Sequence, residues 1–498
     1  MKTLIRAAAI AALATAVGCS DDDTNEPSGE TDTGVTDTGD GDTGGTDAGA
    51  DDTGADDTGG TDAGGEDATP DVVEDTAADV APDAADASAD ALDAAPDAGE
   101  RTYGDLTFPP IDREARADFD DCDTVIEPSG GDDTEDVQTA LILADEGDIL
   151  CFAEGTFSFT TEISLDVDGV TIRGAGMSAT TWDFAAQDVG ANGFRITSDR
   201  VTMEHIRVLD TPGDGVRADD VEDITFRDMW VSWTLEESLE NGAYGLYPVG
   251  CTRVIIERTI VNGARDAGIY VGQSNDVLVV DSEAYGNVAG IEIENTINAE
   301  VRGNWAHDNT AGVLVFNLPG LAQYGSRAKV HRNIIENNNV DNFGVDGTIV
   351  AIVPPGIGVL ILACDENEIH DNVIYDNVTA GTLIISYLSG LFGSYDDDGF
   401  DPWCEGNWIH DNLLAGNGVA PRGALHAAVS ALPSPSPDHI IDGCLNPDIA
   451  DPPPTAQNCY SGLDDQTFMD FDFCGGFETQ TELLEYACEG EALDPVEF

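Results

Sequence analysis

A short motif that recurs between Val277 and Asn417 constrains the fold of this chain more than any other feature. Its four copies are Val301-Arg302-Gly303-Asn304, Val330-His331-Arg332-Asn333, Ile369-His370-Asp371-Asn372 and Ile409-His410-Asp411-Asn412. In each copy a second asparagine follows five residues after the first, at Asn309, Asn338, Asn377 and Asn417. Apolar and asparagine positions held at a period of about twenty-two residues, with insertions between some copies, are typical of coils that stack into a β-solenoid.

Two sets of anchor residues align the coils. A glycine opens one strand of each coil, at Gly193, Gly215, Gly245, Gly268, Gly290, Gly312, Gly358 and Gly381. The following strand places an apolar residue at one shared position: Ile172, Met203, Phe226, Ile256, Val279, Val301, Val330, Ile369 and Ile409. Because side chains alternate across a strand, this position predicts a buried apolar column along the solenoid.

The position after this column predicts an outward-facing ladder. It reads Arg173, Glu204, Arg227, Glu257, Val280, Arg302, His331, His370 and His410. Opposite charges on neighbouring strands stabilise the register. Three stacked histidines could bind a metal, but an exposed ladder with Asp371 and Asp411 as partners is the simpler interpretation. The asparagine columns fit tight turns, where the side chains bond along the solenoid axis.

Both ends of the solenoid carry signs of a cap. Residues 133–144 predict a short amphipathic helix, and Cys122 and Cys151 on either side of it predict a disulfide bond. Cys364 and Cys404 fall at one aligned position, so stacking predicts a second bond between them. Cys251 has no cysteine at its neighbouring positions and is the candidate free thiol. Four cysteines near the end of the chain allow three connectivities, which the sequence leaves open: Cys444, Cys459, Cys474 and Cys488.

The coil pattern resembles the right-handed parallel β-helix repeats of the pectate-lyase-like superfamily. The stretches 145–157 and 165–176 resemble one bacterial family in particular. That family consists of exported or lipid-anchored proteins with tandem β-helix repeats, often encoded beside a cytochrome-like partner, and its biochemical function is not established. The resemblance implies an all-β, right-handed parallel β-helix of about ten coils, with three strands per coil. It also implies an export address and a haem-protein partner.

The chain divides into five segments on composition and period. We predict a signal peptide at 1–18, an acidic stalk at 19–100 and an N-terminal lead-in and cap at 101–160. The β-helix follows at 161–432, and a cysteine-containing cap or tail at 433–498. The stalk is built almost wholly from Asp, Glu, Thr, Gly, Ala and Pro, so it cannot bury enough apolar surface to fold. An Asp-rich calcium-binding repeat is the alternative interpretation of this segment.

The first residues predict an export signal. A charged start precedes a short apolar run that ends Ala16-Val17-Gly18-Cys19. This run resembles a bacterial lipobox, with Ala16 where leucine is commonest, and implies lipidation of Cys19. An ordinary secretory signal with an incidental cysteine is the alternative. We expect a lipid-anchored protein of the cell envelope, at the outer membrane, and a monomer.

The formal net charge of −79 restricts the partners. Such a surface repels nucleic acid, anionic lipid and polyanionic glycans, unless Ca²⁺ bridges the two. Asp396, Asp398 and Asp401 are weak calcium candidates. The stretch from Asp398 to Trp403 resembles an alginate-epimerase motif, but Trp403 stands where the histidine that would transfer the proton is expected.

One strand face carries the candidate site. Its outward column begins Arg217, Tyr247, Tyr270, Glu292, and the next column includes Glu294. Later coils place apolar residues in these columns, and the inserted loops 316–328, 339–357 and 387–403 should cover them. We therefore predict an open face that binds substrate through Tyr247, Tyr270, Glu292, Glu294 and, from a flanking insert, Trp233. A solvated sheet face without a ligand is the alternative.

Three functions fit this sequence. The leading hypothesis is a cell-envelope protein whose β-helix binds a glycan or a partner protein, since aromatic rings beside carboxylates suit a sugar. The second is a polysaccharide lyase, hydrolase or epimerase with Glu292, Glu294 and Arg217 as weak catalytic candidates. The third is a structural scaffold for the haem-protein partner. Beyond Ca²⁺, no cofactor is indicated.

Overall fold

The computed structural model describes residues 101–498, apart from 104, 105, 109, 389–391, 424–435, 448, 450–456, 464, 477, 478, 484 and 485. The predicted signal peptide at 1–18, the lipidation site Cys19 and the predicted stalk at 19–100 lie outside the described residues. Within the part that is described, no helix is both long and apolar enough to cross a membrane.

Three parallel β-sheets enclose one apolar core, and successive coils add a strand to each in turn. Sheet 1 contains Thr124–Ile126, Ile149–Phe152, Thr171–Gly174, Thr202–Glu204, Glu222–Arg227, Thr252–Glu257, Asn275–Val280, Ile297–Arg302, Lys329–His331, Glu368–His370, Trp408–His410 and Cys459–Ser461. Sheet 2 contains Gly155–Ser158, Thr180–Asp183, Arg207–Leu209, Trp230–Ser232, Ile260–Asn262, Glu283–Tyr285, Trp305–His307, Ile334–Glu336, Val373–Tyr375 and Leu413–Ala415. Sheet 3 contains Thr161–Leu165, Val189–Ile196, Val216–Asp219, Tyr244–Val249, Ala267–Gly272, Ala289–Glu294, Ala311–Phe316, Ile357–Leu362, Ala380–Ile385, His439–Ile441 and Phe468–Asp470.

The predicted all-β solenoid with three strands per coil is confirmed, but it is longer than the ten coils expected. Sheet 1 has twelve strands among the described residues. The additional strands come from both ends, because Thr124–Ile126 and Cys459–Ser461 pair in parallel with their neighbours. The remaining regular elements are an antiparallel pair, Arg101–Tyr103 with Leu106–Phe108, the helix Thr134–Leu143 and a 3-10 turn, Val350–Ile352.

The predicted apolar column forms the centre of sheet 1. Its nine residues are fully buried, and the parallel register pairs each with the next, as in Met203 with Phe226 and Val330 with Ile369. The predicted charge ladder lies on the outer face. Arg173 Nε contacts Glu204 Oε1 at 2.6 Å, and Arg227 also pairs with Glu204 and with the following Glu257.

The three histidines of the ladder stack, but they are mostly buried rather than exposed. The imidazole centroids of His331 and His370 lie 4.8 Å apart, and those of His370 and His410 lie 4.9 Å apart. The predicted aspartate partners are confirmed, since Asp371 and Asp411 each bond the adjacent imidazole. Burial explains why carboxylates accompany these rings, because a buried polar ring needs a hydrogen-bond partner.

Each asparagine column is a continuous hydrogen-bonded ladder. The Asn333 backbone N–H and side-chain Nδ2 both donate to Asn372 Oδ1, at 3.0 and 2.9 Å. Asn372 Nδ2 in turn donates to Asn412 Oδ1 at 2.9 Å. A third ladder that the sequence analysis did not separate runs through Asn367, Asn407 and Asn458. These ladders pair buried turn groups that would otherwise lack partners.

The N-terminal cap agrees with its prediction. The helix starts at Thr134, directly after Asp133, whose carboxylate accepts the backbone N–H groups of Ser129 and Ser158. The disulfide between Cys122 and Cys151 joins the cap to sheet 1, with a Cα–Cα distance of 5.9 Å. The cap thus seals the first coil of the solenoid.

The other cysteines of the described residues form two disulfides and leave three free thiols. The C-terminal bonds join Cys444 to Cys474 and Cys459 to Cys488. The free thiols are Cys251, Cys364 and Cys404, all buried.

The predicted bond between Cys364 and Cys404 is absent. The alignment behind it was correct, because Asn367 and Asn407, three residues further on, stack in one ladder. The two sulfurs point to different carbonyls: Cys404 Sγ donates to Ile385 O at 3.1 Å, and Cys364 Sγ to Gly325 O at 3.6 Å.

Different segments lie on the outer faces of the three sheets. The N-terminal lead-in crosses sheet 2, where Arg113 Nη2 donates to Glu283 Oε2 at 3.2 Å. The C-terminal tail crosses sheet 1, where the Leu493 and Val496 N–H groups donate to Glu368 and Glu300. The late coils of sheet 3 are covered by inserted loops, whereas the outer face of its early coils remains available for a site.

Candidate functional site

The outer face of sheet 3 carries the rows that the alignment predicted. The strand register pairs Arg217 with Tyr247, Tyr270 with Glu292, and Glu292 with Leu314. The neighbouring row pairs Gly272 with Glu294. The face therefore changes from charged, through aromatic and acidic, to apolar as the coils advance.

The apolar rows of the late coils are covered, as predicted. Leu314, Leu360 and Leu383 are almost completely buried. They pack in one cluster with loop residues that include Val350 and Phe400. Burying these side chains removes an apolar patch that would otherwise be exposed on the late coils.

The buried part of this sheet face extends into earlier coils than predicted. Tyr270, Glu292 and Glu294, which we expected on an open face, are only 4, 3 and 8 % exposed. The loop that follows the strand Ala311–Phe316 is anchored at the ends of the two earlier strands.

Two hydrogen bonds fix that anchor. The Leu318 N–H donates to Asn295 Oδ1 at 2.8 Å, and the Ala322 N–H donates to Gln273 Oε1 at 2.9 Å. Leu318 belongs to the same apolar cluster as Tyr270. The expectation of a solvent-exposed Tyr270–Glu294 surface was therefore wrong.

On this part of the face lies an acidic cluster, which we define as Asp266, Glu292 and Glu294. Tyr270 Oη donates to Glu294 Oε1 at 2.6 Å, and Tyr244 Oη donates to Asp266 Oδ2 at 3.4 Å. Glu292 Oε2 is buried and has no hydrogen-bond partner among the described residues. A buried carboxyl oxygen without a partner is costly and therefore uncommon.

Burial raises the pKa values of all three carboxyl groups in the acidic cluster. Desolvation, with the charge of Glu294 second, raises the pKa of Asp266 to about 8. Desolvation also raises the pKa of Glu294 to about 7, against the opposing hydrogen bond from Tyr270. The pKa of Glu292 is raised well above its ordinary value by burial, and then by the two neighbouring carboxylates. At neutral pH the cluster retains protons and could donate them.

The open end of sheet 3 lies beside the cluster. We call it the Arg–Tyr face and define it as Arg195, Arg217, Asp219, Tyr244 and Tyr247. Asp219 accepts hydrogen bonds from Nε of both arginines, each at 2.8 Å. The Arg217 guanidinium lies 4.7 Å from the centre of the Tyr247 ring. Tyr247 and Tyr244 are half-buried, and Arg195 is 46 % exposed in its side chain, so this surface contacts solvent.

Arg217 is unsuited to the role of catalytic base. Burial lowers its pKa, but the hydrogen bond and charge of Asp219 outweigh burial, and the net effect is a raised pKa. Its guanidinium therefore stays protonated. Arg217 is instead a permanently charged group that is held between the Asp219 carboxylate and the Tyr247 ring.

Trp233, predicted to bind substrate, is a core residue. It is 4 % exposed and packs in the main apolar core, and its Nε1 donates to Thr211 O at 2.8 Å. The insert that reaches solvent begins one residue later, at Thr234. Trp233 faces the core because it directly follows the strand Trp230–Ser232 of sheet 2. The prediction failed because this strand was not recognised in the sequence.

The calcium candidates do not form a site. Asp396, Asp398 and Asp401 are not part of any group of three metal-ligating side chains within the described residues. Asp401 instead accepts the backbone N–H of Trp403 at 3.1 Å. The carboxylate of the neighbouring Asp397 accepts a hydrogen bond from Tyr324 at 2.5 Å.

Two members of the site were missed. Tyr244 and Asp266 stand just before the strand-opening glycines Gly245 and Gly268, outside the columns we aligned. The sequence did contain a feature that could have identified Tyr244. The register places Tyr244 at the position that Ala267 and Ala289 occupy in the next coils. A large aromatic residue at an otherwise small position marks a local departure from the repeat.

A family model described as a right handed beta helix region matches residues 192–339. This segment includes the Arg–Tyr face and the acidic cluster. The chain is a right-handed parallel β-helix protein. The predicted handedness is thereby confirmed. The family with a cytochrome-like neighbour is not confirmed and remains a proposal.

Solved structures with a similar backbone belong to several kinds of protein. The A-module of a mannuronan C-5 epimerase of Azotobacter vinelandii is 17 % identical, with 60 % of this chain and 90 % of that chain covered and a TM-score of 0.40. The Dettilon tailspike protein is 15 % identical over 68 % of this chain and 69 % of its own, with a TM-score of 0.39. A pectate lyase is 14 % identical over 60 and 80 %, with a TM-score of 0.35.

Similarity at this level carries no argument about substrate or reaction. Among curated proteins, none matches the sequence. Function must therefore be argued from the residues of the β-helix itself.

Proposed function

We propose that this β-helix binds a saccharide on the Arg–Tyr face. The observation that carries the proposal is the half-buried Tyr247, set beside the Arg195–Asp219–Arg217 group on the uncovered end of sheet 3. The late coils of this sheet are covered by loops. Half-buried aromatic side chains with fixed charged groups next to them support recognition more than packing.

The chemistry of the face suits a sugar. Tyrosine rings contact the C–H faces of a pyranose, and the carboxylate and guanidinium groups bond its hydroxyls in fixed directions. Asp219 already holds both arginines, so little conformational entropy is lost when a ligand bonds them. The net charge of −79 favours a neutral or cationic saccharide over a polyuronate.

Glycan binding by the full chain tests the proposal. A panel of neutral glycans and polyuronates, with and without Ca²⁺, should contain a neutral glycan that binds. Arg195→Ala and Tyr247→Ala should each weaken that binding roughly tenfold. Arg253→Ala is the matched control, because Arg253 is also an ion-paired arginine on an outer face but lies on sheet 1. The proposal fails if no glycan binds, or if Arg195→Ala binds like Arg253→Ala.

A second candidate function is acid–base catalysis by the acidic cluster. The observation that favours it is the partnerless Glu292 Oε2 beside carboxyls whose pKa lies near neutrality. A protonated carboxyl there could protonate a glycosidic oxygen, and an ionised neighbour could act as base. Because the cluster is closed to solvent, the loop anchored on Asn295 and Gln273 would have to open first.

Product formation separates catalysis from binding. Incubation with the glycan that binds should release reducing ends for a hydrolase, or an unsaturated-uronate absorbance for a lyase. Glu292→Gln should abolish turnover while leaving binding on the Arg–Tyr face intact. Epimerisation would leave chain length unchanged and alter the sugar signals in NMR spectra. If no product forms from any glycan that binds, this second function is excluded.

The proposal also includes a cellular location and a haem-protein partner. Lipidation of Cys19 would anchor a monomeric β-helix at the cell envelope, at the outer membrane, with the acidic segment 19–100 as a tether. Incorporation of labelled palmitate that is lost in Cys19→Ser would support the anchor. Co-purification of a haem protein with the full chain would favour the scaffold hypothesis over the saccharide.

A further inference from the structure

A groove separate from the Arg–Tyr face lies between two inserted loops. Residues 235–239 form one wall and residues 342–346 form the other, and the groove encloses about 750 Å³. A volume of this size is typical of a ligand site. None of its lining residues belongs to the Arg–Tyr face or to the acidic cluster.

The groove exposes apolar side chains from both walls. Leu235 and Leu239 are 48 and 57 % exposed, and Val345 across the groove is 36 % exposed. Phe343, also in the lining, is half-buried and packs on the apolar cover of sheet 3. Exposed aliphatic side chains that converge in one concavity are typical of an interaction surface.

Both walls are held in place by amide side chains, of which Asn241 is buried and Asn342 half-buried. Asn241 Nδ2 donates to Leu235 O at 2.7 Å and to Gly263 O at 2.6 Å, which fixes the first wall to the adjacent coil. Asn342 Nδ2 donates to Val350 O and Val353 O at 2.8 and 2.9 Å, which fixes the second. The concavity is therefore preformed, and little ordering entropy is lost on binding.

The charge in the groove is negative. Glu236, Glu237 and Asp346 line it, and no ion pair within the described residues involves any of the three. Burial, followed by the charges of Glu236 and Asp341, raises the pKa of Glu237. The nearest cations are already engaged: Arg422 pairs with Asp341 at 3.1 Å, and Arg265 donates to the backbone oxygen of Leu239 at 3.4 Å.

We propose that this groove binds a basic, amphipathic peptide segment of a partner protein. Its Lys or Arg side chains would pair with Glu236, Glu237 and Asp346, and its apolar side chains would cover Leu235, Leu239 and Val345.

Charge excludes the other occupants. The segment 20–100 of this chain has no Lys, Arg, His or aromatic residue, so it cannot supply cations. A second copy of the chain brings a further net charge of −79. An anionic membrane surface is repelled for the same reason.

Fluorescence anisotropy with the full chain tests this inference. The probe is a short fluorescein-labelled peptide of alternating lysine and leucine, compared with a glutamate–leucine peptide and a lysine–serine peptide. The lysine–leucine peptide should bind, and its affinity should fall as salt is raised. The other two peptides should bind at least tenfold more weakly, because each lacks one of the two complementary features.

Groove variants decide whether the binding is local. Leu235→Ser with Leu239→Ser, and separately Glu236→Gln with Glu237→Gln, should each weaken the lysine–leucine peptide roughly tenfold. Leu413→Ser with Glu154→Gln is the matched control, since both residues are exposed and lie outside the groove. Far-ultraviolet circular dichroism confirms folding of each variant. Absence of peptide binding, or equal loss in the control, overturns the inference.

Discussion

At the scale of single residues, the acidic cluster shows how a repeat fold produces unusual chemistry. Glu292 and Glu294 alternate onto the same outer face as Tyr270, which an ordinary solvated strand would place in water. In the structure both carboxyls are almost completely buried instead. Their raised pKa values are consequences of this burial, and they should respond when the cluster is changed.

The first prediction concerns the pH dependence of stability. Folding raises the pKa of Glu294 to about 7 and of Asp266 to about 8 from 4.5 and 3.8. Above the unfolded pKa the folded state therefore binds more protons than the unfolded state, and stability falls as pH rises towards about 8. Buried histidines such as His331, with a lowered pKa, act in the opposite sense, but only below their ordinary value of 6.5.

Between pH about 6.5 and about 8 the acidic cluster should therefore lower the free energy of unfolding by roughly 1–2 kcal/mol. Asp365, with a pKa raised to about 7, and His307, with a raised pKa, add to this fall. Urea unfolding at several pH values measures it. Glu292→Gln removes a carboxyl whose raised pKa makes the folded state bind more protons than the unfolded state, and it should flatten the slope. Exposed Glu154→Gln should leave the slope unchanged. A slope in Glu292→Gln that parallels the wild-type protein would contradict the assignment of the effect to the acidic cluster.

The second prediction concerns the free thiols. Burial raises the pKa of Cys251 and of Cys364 to about 12 and raises that of Cys404 well above its ordinary value. Since the thiolate is the reactive form, none of the three should be alkylated in the native protein. Iodoacetamide labelling followed by peptide mass spectrometry should find each of them modified only after unfolding in urea. A cross-linked peptide containing Cys364 and Cys404 would show instead that the disulfide expected from the sequence does form.

At the scale of elements, the turns hold the coils in register more than the strands do. Strands of sheet 1 as short as Lys329–His331 offer few ladder hydrogen bonds. In the later coils, the asparagine two residues after each strand of sheet 1 adds bonds to the neighbouring coils. An interior asparagine therefore satisfies polar groups in its own turn and in its neighbours.

The third prediction follows for Asn372→Ala. The substitution leaves the Asn333 backbone N–H and Asn333 Nδ2 without their partner and removes the side-chain bonds to Val330 O and Asn412 Oδ1. Asn412 Oδ1 keeps the bond from the backbone N–H of residue 372. Unpaired buried groups of this kind should lower the free energy of unfolding by about 3 kcal/mol in urea titrations. Asn337→Ala, at an exposed turn position with a φ of 52°, should cost much less. Equal losses at the two sites would mean that turn geometry, rather than the ladder, stabilises the coils.

The same distinction explains what the sequence could predict. Glycine and asparagine anchors recur at fixed intervals, so the apolar column, the charge ladder and the pairing of Tyr270 with Glu292 followed from spacing alone. Loop contacts have no period. The anchoring of Leu318 on Asn295 depends on a single side chain, and spacing gave no sign of it or of the burial of the acidic cluster.

Side-chain direction sets a second limit on such prediction. Spacing placed Cys364 and Cys404 on neighbouring coils but could not tell that their sulfurs donate to different carbonyls. Trp233 was misplaced for a related reason. It directly follows a three-residue strand, Trp230–Ser232, which is too short to show alternation.

At the scale of the whole molecule, each described outer face of the β-helix is partly closed by a segment from elsewhere in the chain. The lead-in crosses sheet 2, the tail crosses sheet 1, and inserted loops cover the late coils of sheet 3. The Arg–Tyr face and the groove both lie outside these covers. Two separate surfaces, one suited to a saccharide and one to a basic peptide, would let a single β-helix hold a glycan and a protein together.

The last prediction concerns the net charge of −79, which opposes compaction through self-repulsion. Added salt screens this repulsion, because the Debye length falls to about 8 Å at physiological ionic strength. Salt also weakens exposed pairs such as Arg200–Glu146, but each such pair contributes only up to about 1 kcal/mol. Repulsion among many carboxylates should outweigh those few pairs, so Tm should rise by a few degrees from low to physiological salt.

Differential scanning fluorimetry in sodium chloride and in tetramethylammonium chloride at equal ionic strength measures this effect. Equal rises in the two salts indicate screening, since the larger cation binds carboxylates poorly. A rise confined to sodium would point to specific cation binding instead. A fall in Tm with either salt would show that the ion ladder on sheet 1 stabilises the β-helix more than self-repulsion destabilises it, which would reverse the balance argued from the sequence charge.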